Sequence, residues 1–300
     1  MNTIKKLTVL FLILTLVSNA KAQKDVITFD IGDFSVTLLS EGQSQGNKDI
    51  LIGATDKMLK ETMPNGSYPS AVNVFLVQTK DKIVLFDAGF GRKLFDNLKT
   101  YGKTPADIDA IMLTHMHGDH IGGLLIDGKK AFPKAELYIA KAEHDYWMSD
   151  TEMQKLPENR RGSFTSARNV IKAYKDKLRL FTPNDIENAQ ELLPGIRAVA
   201  AYGHTPGHTA YMLKSDDSKL FIWGDLTHAM AIQMPFPQVA VTYDIDPKKA
   251  VETRLKLLKY LSDNDIQIAG MHIPFPAIGN LRKDKSGGYD FTLICDCLGR

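Results

Sequence analysis

Three histidines and an aspartate fall within six positions of the stretch THMHGDHIGG, residues 114–123, in a chain of 300 residues with only eight histidines. Imidazole and carboxylate form a borderline donor set, suited to zinc and also to manganese, iron or cobalt. In an extended segment residues two apart point the same way, so His115 and His117 can grip one ion. Gly118 lets the chain turn sharply, and Asp119 and His120 then face a neighbouring point. Four such groups are too many for one ion that keeps an open position, so the pattern predicts two divalent ions. Each then needs ligands from elsewhere, with a carboxylate to bridge them. His208 of GHTPGHT, Asp225 of WGD and His272 of GMH are the available groups, each at or just past the end of an apolar strand. Strand ends are where sheet proteins gather functional loops. His144 and His204 are assigned to packing or supporting roles, and Asp87 in LFDAG to orienting a ligand histidine.

The elements that must carry these groups are readable from periodicity. Residues 71–79 and 82–89 are short, β-branched and apolar, and read as two strands joined by a tight turn at Lys80-Asp81. Residues 33–42, 110–115 and 135–140 read as further strands, and the second of these runs directly into the histidine cluster. Thr104 and Pro105 open a helix, as N-cap and N1 residue. Residues 150–178 are polar and mostly helical. A second set of strands follows at 196–203, 209–215, 219–225, 238–244 and 266–272, with an amphipathic helix over 247–264. Strands and helices recur on both sides of residues 180–195, which predicts an α/β (α+β) protein of sheets covered by helices. The segment from Leu51 to Tyr68 has little periodicity and reads as a lid, a dimer contact or a surface loop.

Lys5 and Lys6, an apolar run from Leu7 to Val17 and the small-x-small pattern Ala20-Lys21-Ala22 make residues 1–22 a secretory signal peptide. The run is too short to cross a bilayer comfortably, so the expectation is an exported protein, periplasmic or secreted, without a stable membrane anchor. Residues 23–300 form one domain-sized unit. The formal charge is +2, but the leader holds three lysines and no acid, and removing it leaves 34 basic against 35 acidic residues. Such a balance points away from a nucleic-acid partner. Cys295 and Cys297 are too close in sequence to close a good disulfide.

THMHGDHIGG, GHTPGH, WGD and the late GMH, in this order, resemble the metallo-β-lactamase fold hydrolases. The resemblance covers nearly all of residues 23–300 and implies a four-layer αβ/βα sandwich with two metals, zinc foremost, at one edge of two sheets. By motif, His115, His117 and His208 would hold one metal, Asp119, His120 and His272 the other, and Asp225 would bridge both with a hydroxide between them. AEHDYW, WGDLTHAMAIQMPFP and HIPFPAIGNLRKDKSGGY look like the branch that includes methyl parathion hydrolases and exported N-acyl homoserine lactone lactonases. That branch often forms dimers, so a homodimer is among the assemblies it admits. The lactonases first described carry a tyrosine three positions after the bridging aspartate, where this chain has His228.

The function implied is opening of an acyl homoserine lactone or related ester by a quorum-quenching lactonase. The metals would acidify water to a nucleophile, Asp119 would pass a proton to the leaving oxygen, and His228 would help stabilise the oxyanion. Met116, Trp147 and Phe275, together with His228, are the expected substrate contacts, since they flank the ligands or lie in the matching segments. A phosphotriesterase, a β-lactamase and a non-catalytic metal-binding protein are the alternatives, in that order.

Overall fold

The computed structural model describes residues 25–293; the leader and the two cysteines lie outside them. Two seven-stranded sheets carry the fold. The first runs in the order Val26–Ile31, Phe34–Asn47, Ser67–Gln78, Ile83–Phe86, Ala110–Met112, Glu136–Ala140 and Leu178–Phe181. Its first four strands are antiparallel and its last three join in parallel. The second runs Gln190–Leu193, Ile196–Ala200, Thr209–Ser215, Ser218–Ile222, Gln267–Ala269, Ile278–Lys283 and Tyr289–Leu293, with one parallel pairing, between Ser218–Ile222 and Gln267–Ala269. The chain passes from one sheet to the other between Phe181 and Gln190.

Alternation of side chains along the strands explains the layers. In the first sheet Val36, Leu38, Phe75, Val77, Val84, Phe86 and Met112 point into one core, shared with Ile196, Tyr211, Leu213, Leu220 and Ile222 of the second sheet. Their neighbours Leu39, Val74, Leu76, Leu85 and Ile111 point the other way, into a core closed by Phe164, Ala167, Val170, Ile171 and Tyr174 of the helix Gly162–Tyr174. Both faces of the central strands are therefore dry, which is why they read as continuous apolar runs rather than alternating ones. The helix Pro247–Asp263 covers the second sheet through Leu257, Leu258 and Leu261. It starts at Asp246, whose side chain accepts from Lys249 N at 2.9 Å, with Pro247 at the first helical position. Helix, sheet, sheet and helix make the four layers that the family resemblance implies.

Several expectations need correction. Thr104 and Pro105 open a single 3₁₀ turn, Pro105–Asp107, closed by the Asp107 carboxylate on Thr104 N at 2.7 Å. Residues 238–244 hold only a two-residue strand, Ala240–Val241, paired with Leu51–Ile52. The Asp244 carboxylate takes Val241 N at 3.1 Å, which diverts this segment into a loop. Residues 51–68 contain a helix, Asp56–Thr62, that packs with Met230–Gln233 around a small core of Met63, Tyr68, Ala229, Ile232 and Val239. The final hairpin, Ile278–Lys283 with Tyr289–Leu293, has no clear apolar run in the sequence.

Candidate metal centre and its cavity

Strand Ala110–Met112 ends three residues before His115, and His117 caps the short helix Gly118–Ile121. The other contributors arrive singly: His204 from the loop before Thr209–Ser215, Asp225 just past Ser218–Ile222, and His272 just past Gln267–Ala269. All of them meet at the edge where the two sheets end together.

One group is formed by His115, His117, His204 and Asp225. His115 Nε2 lies 2.9 Å from His117 Nδ1, which lies 3.0 Å from His204 Nε2, which lies 3.2 Å from His115 Nε2. Asp225 Oδ2 closes the figure at 3.2 Å from His204 Nε2 and 3.7 Å from His115 Nε2. A tetrahedron with corners 2.0–2.1 Å from its centre has edges of about 3.3–3.4 Å, so these atoms stand where zinc ligands stand. Three imidazole nitrogens converging on one point repel one another unless a cation lies among them.

Asp119, His120 and His272 form a second group. His272 Nε2 and His120 Nε2 lie 3.5 and 3.8 Å from Asp119 Oδ2. Asp225 faces both groups, with Oδ1 3.1 Å from His120 Nε2 and Oδ2 3.2 Å from His272 Nε2. Both His120 Nε2 and Asp225 Oδ1 are buried without a hydrogen-bond partner. Buried polar atoms are rarely left so, and a cation at this point would satisfy both. The residues fit two metal ions sharing one carboxylate.

Four of the five ligand rings are aimed through their other nitrogen. His120 Nδ1 pairs with Asp87 Oδ2 at 2.7 Å, His204 Nδ1 with Asp244 Oδ1 at 2.9 Å, His272 Nδ1 with the Ala71 carbonyl at 2.8 Å and His115 Nδ1 with Thr114 Oγ1 at 3.0 Å. Such partners fix ring orientation and basicity. Asp87 also takes Thr114 N and Thr114 Oγ1, and it holds the left-handed backbone, φ 59°, that a non-glycine residue adopts only under constraint. Asn73 Nδ2 donates to the carbonyls of Gly270 and Ile273 and so fixes the loop that carries His272. Arg254, buried in the long helix, donates to the carbonyls of Leu226, Pro237 and Val239 and ties down the loop after Asp225.

Burial, with the neighbouring histidines, holds His115 well below the usual imidazole range and His117 at about 3. Burial acts the same way on His204, but hydrogen bonds to Asp225 and Asp244 outweigh it and raise this residue to about 9. His120 is likewise raised, against burial, by Asp225, Asp119 and Asp87. Burial opposes the ionised form of Asp225, yet His120 and His272 hold it well below the ordinary carboxylate range.

The structure corrects one assigned ligand. His208 donates from Nδ1 to the Ala201 carbonyl at 2.8 Å and accepts Asp225 N on Nε2 at 2.9 Å, so neither nitrogen is free for an ion. His204 takes its place. His208 immediately precedes a strand and lies within the sheet layer, whereas His204 stands in the loop at its edge; that difference was the available signal. His208 also explains the glycine of WGD: at Gly224, φ 60°, a Cβ would lie 2.4 Å from His208 Nε2.

A cavity of about 780 Å³ opens over Asp119, Asp225, His117, His204 and His272. Its walls include Tyr68, Phe90, Tyr146, Trp147 and Tyr243. Arg160 is the one lysine or arginine among its lining residues. Trp147 and His228 line it, as expected, but Met116 and Phe275 do not. The alternation that brings His115 and His117 together sends the Met116 side chain the opposite way, where it is wholly buried in the outer core. Phe275 packs against the inter-sheet core instead. His228 Nε2 pairs with Asp225 Oδ2 at 2.9 Å, and its ring lies over that of His272 with centroids 5.1 Å apart. Glu143, which stands in the segment AEHDYW but is assigned no role there, is buried beneath the site. Burial pushes its carboxyl upward, and four hydrogen bonds oppose that rise.

Residues 67–270 match the family model of the Metallo-beta-lactamase superfamily, more than half of the chain. Among solved structures, a hydrolase named AbOPH in the beta lactamase superfamily is 29% identical, with a TM-score of 0.82 over 90% of this chain and 97% of that one. AidC, described as a dizinc quorum-quenching lactonase in complex with the product N-hexnoyl-L-homoserine, is 27% identical with the same TM-score and coverage. The anti-Pycsar protein Apyc1 of Paenibacillus sp. (strain J14) is 31% identical over 160 residues, 52% of this chain and 60% of the relative. The match to YobT of Bacillus subtilis spans a similar share of that relative, 56%.

Proposed function

The chain belongs to the metallo-β-lactamase superfamily, and from that premise we propose that it is a dinuclear metal-dependent hydrolase that opens N-acyl homoserine lactones. The observation that carries this reading is the cavity. Its floor is the pair of ion-sized groups, and its walls combine aromatic rings with neutral polar side chains such as Ser44, Gln45 and Ser70 and, among the described residues, a single lysine or arginine, Arg160. Such walls suit a neutral substrate with an apolar chain. A substrate bearing several phosphates would call for several cations. The likeness to AidC over nearly the whole of both chains supports the same class.

His115, His117, His204 and Asp225 would hold one ion, and Asp119, His120, His272 and Asp225 the other. Bound there, the ions would supply Lewis acidity and lower the pKa of water to near neutrality. The chain does the rest. Asp119, held against burial below the ordinary carboxylate range by His120 and His272, has a side chain 25% exposed on the cavity wall; it would take the proton given up by the attacking water on the oxygen turned away from those rings and pass it to the leaving oxygen. His228 would steady Asp225 through Nε2 and face the substrate carbonyl from the wall. Trp147 and Tyr146 would pack the acyl chain and exclude water. Export through residues 1–22 belongs to the same proposal, because it places the site where diffusible lactones are met.

A neutral phosphotriester fits the same walls and is the second reading. Zinc-loaded protein assayed side by side on acyl homoserine lactones, a paraoxon-type triester and a chromogenic β-lactam should turn over the lactones fastest. Negligible lactone turnover beside rapid triester hydrolysis would transfer the assignment to the second reading.

A further inference from the structure

Glu143 sits under the metal centre without touching any ligand side chain. It is 1% exposed, yet its carboxylate accepts four hydrogen bonds. Oε1 takes Met116 N at 2.9 Å and Trp147 Nε1 at 2.6 Å. Oε2 takes Thr205 Oγ1 at 2.5 Å and Gly207 N at 3.0 Å. Met116 lies between the ligands His115 and His117, and Thr205 follows the ligand His204. Gly207 packs so tightly on the start of the Glu143 helix that a Cβ there would lie 2.1 Å from Glu143 N. One side chain therefore joins the loops that bring all three imidazoles of the first group, and it joins both to a wall of the cavity. A group reaching this far between halves of the fold does more than fill space.

We propose that Glu143 is the positioning residue of the first ion site, clamping the His115–His117 segment to the His204 loop so that three imidazoles converge at ion distance, with Trp147 set against the same clamp. The inference rests on the metal-centre reading given above. The clamp works because a carboxylate can accept at both oxygens and cannot donate. An amide cannot copy this. Met116 N and Trp147 Nε1 are donors only, so Glu143→Gln must keep its oxygen towards them. Its NH₂ then faces Thr205, whose hydroxyl can turn to accept, and Gly207 N, which cannot. The loss falls on the loop that carries His204.

Zinc titration of the metal-free protein against a chromophoric chelator, followed in two steps, tests this without reference to turnover. Glu143→Gln should weaken one zinc step by about tenfold to a hundredfold and leave the other within about threefold. Thr205→Val removes one donor and should weaken the same step by a smaller factor, while Thr205→Ser, which keeps the hydroxyl, should restore it. Glu41→Gln is the control for mere destabilisation. Glu41 also accepts four backbone N–H groups, from Phe90, Gly91, Lys93 and Leu94, but joins no ligand loop. It should lower the melting temperature and keep both zinc steps. Folded Glu143→Gln with both steps intact would overturn the inference, as would an equal loss in Glu41→Gln. Should Glu143→Gln fail to fold, the Thr205 pair decides, and equal zinc affinities in Val and Ser variants would overturn it. Wild-type protein that takes up no zinc would sink the metal-centre reading itself, whereas zinc uptake with indifferent variants sinks only the clamp.

Discussion

The two halves of the fold build their share of the metal centre in different ways. The first half supplies His115, His117, Asp119 and His120 from a single turn of chain at the end of one strand. The second supplies His204, Asp225 and His272 from three separate loops, each aimed by its own partner: Asp244, the backbone contact with His208, and the Ala71 carbonyl. In the first half one turn of chain brings the groups together, and Asp87 and Glu143 then hold it in place. In the second, tertiary contacts do all of the gathering, so a substitution remote in sequence should act as strongly as one beside a ligand.

The largest effect should come from the one residue both groups share. Asp225→Asn removes a charge that faces His204 and His272 through one oxygen and His120 through the other. Lactone turnover should fall by several decades, and zinc content should drop at both steps. Unchanged turnover would remove Asp225 from its role.

Next comes the contrast between two histidines four residues apart. His204→Ala should abolish one zinc step. His208→Ala should keep both steps, each weakened by no more than about tenfold because Asp225 N loses its partner, and lower stability by about 2–4 kcal/mol, because it deletes a buried ring with two backbone hydrogen bonds. Zinc analysis and thermal melts of the pair would settle the exchange. The reverse pattern would restore His208 as the ligand.

That exchange shows where the sequence stops being informative. The cluster at 115–120 announces itself because four metal-binding side chains in six residues need no knowledge of the fold. Asp225 and His272 stand directly past apolar strands, and strand ends can be read from periodicity. His204 and His208 share one loop motif, and only the position of the following strand, Thr209–Ser215, tells which faces the edge and which is absorbed by the sheet. Glu143, Asp244 and Asn73 were illegible for a similar reason: each acts on a backbone or ring more than 25 residues away. The layers of the fold were legible because buried central strands are continuous apolar runs. The last hairpin was not, being half exposed and polar.

Proton competition sharpens the comparison further. His115 and His117 are neutral at pH 7, held low by burial, and offer free nitrogens. His204 is raised to about 9, so an ion entering the first group must displace its proton. A group with a raised pKa binds its proton until pH passes that value, and zinc affinity should therefore climb with pH, by about tenfold per unit, and level off near 9. Asp244→Asn removes one of the two carboxylates that raise His204 and should shrink the number of protons released on zinc binding at pH 7. Calorimetry in buffers of different ionisation enthalpy counts those protons. An undiminished count in the variant would mean that Asp244 does not set the protonation of His204.

The smallest effects should separate the walls of the cavity from the core around it, which nearness to the motifs in sequence could not do. Tyr146 is half-buried, lines the cavity and lies against Trp147, with ring centroids 5.1 Å apart. Phe275 follows the ligand His272 within three residues but packs on the inter-sheet core. Leucine in place of either removes an aromatic ring without adding a polar group. Tyr146→Leu should raise KM for long-chain lactones several-fold with kcat little changed, since packing of the chain contributes to binding before and during reaction alike. Phe275→Leu should leave KM in place and cost stability, by about 1–1.5 kcal/mol. Equal KM values in the two variants would mean that the acyl chain leaves the metal centre by another wall, and Tyr243 and Ile245 at the exposed mouth would be the next residues to exchange.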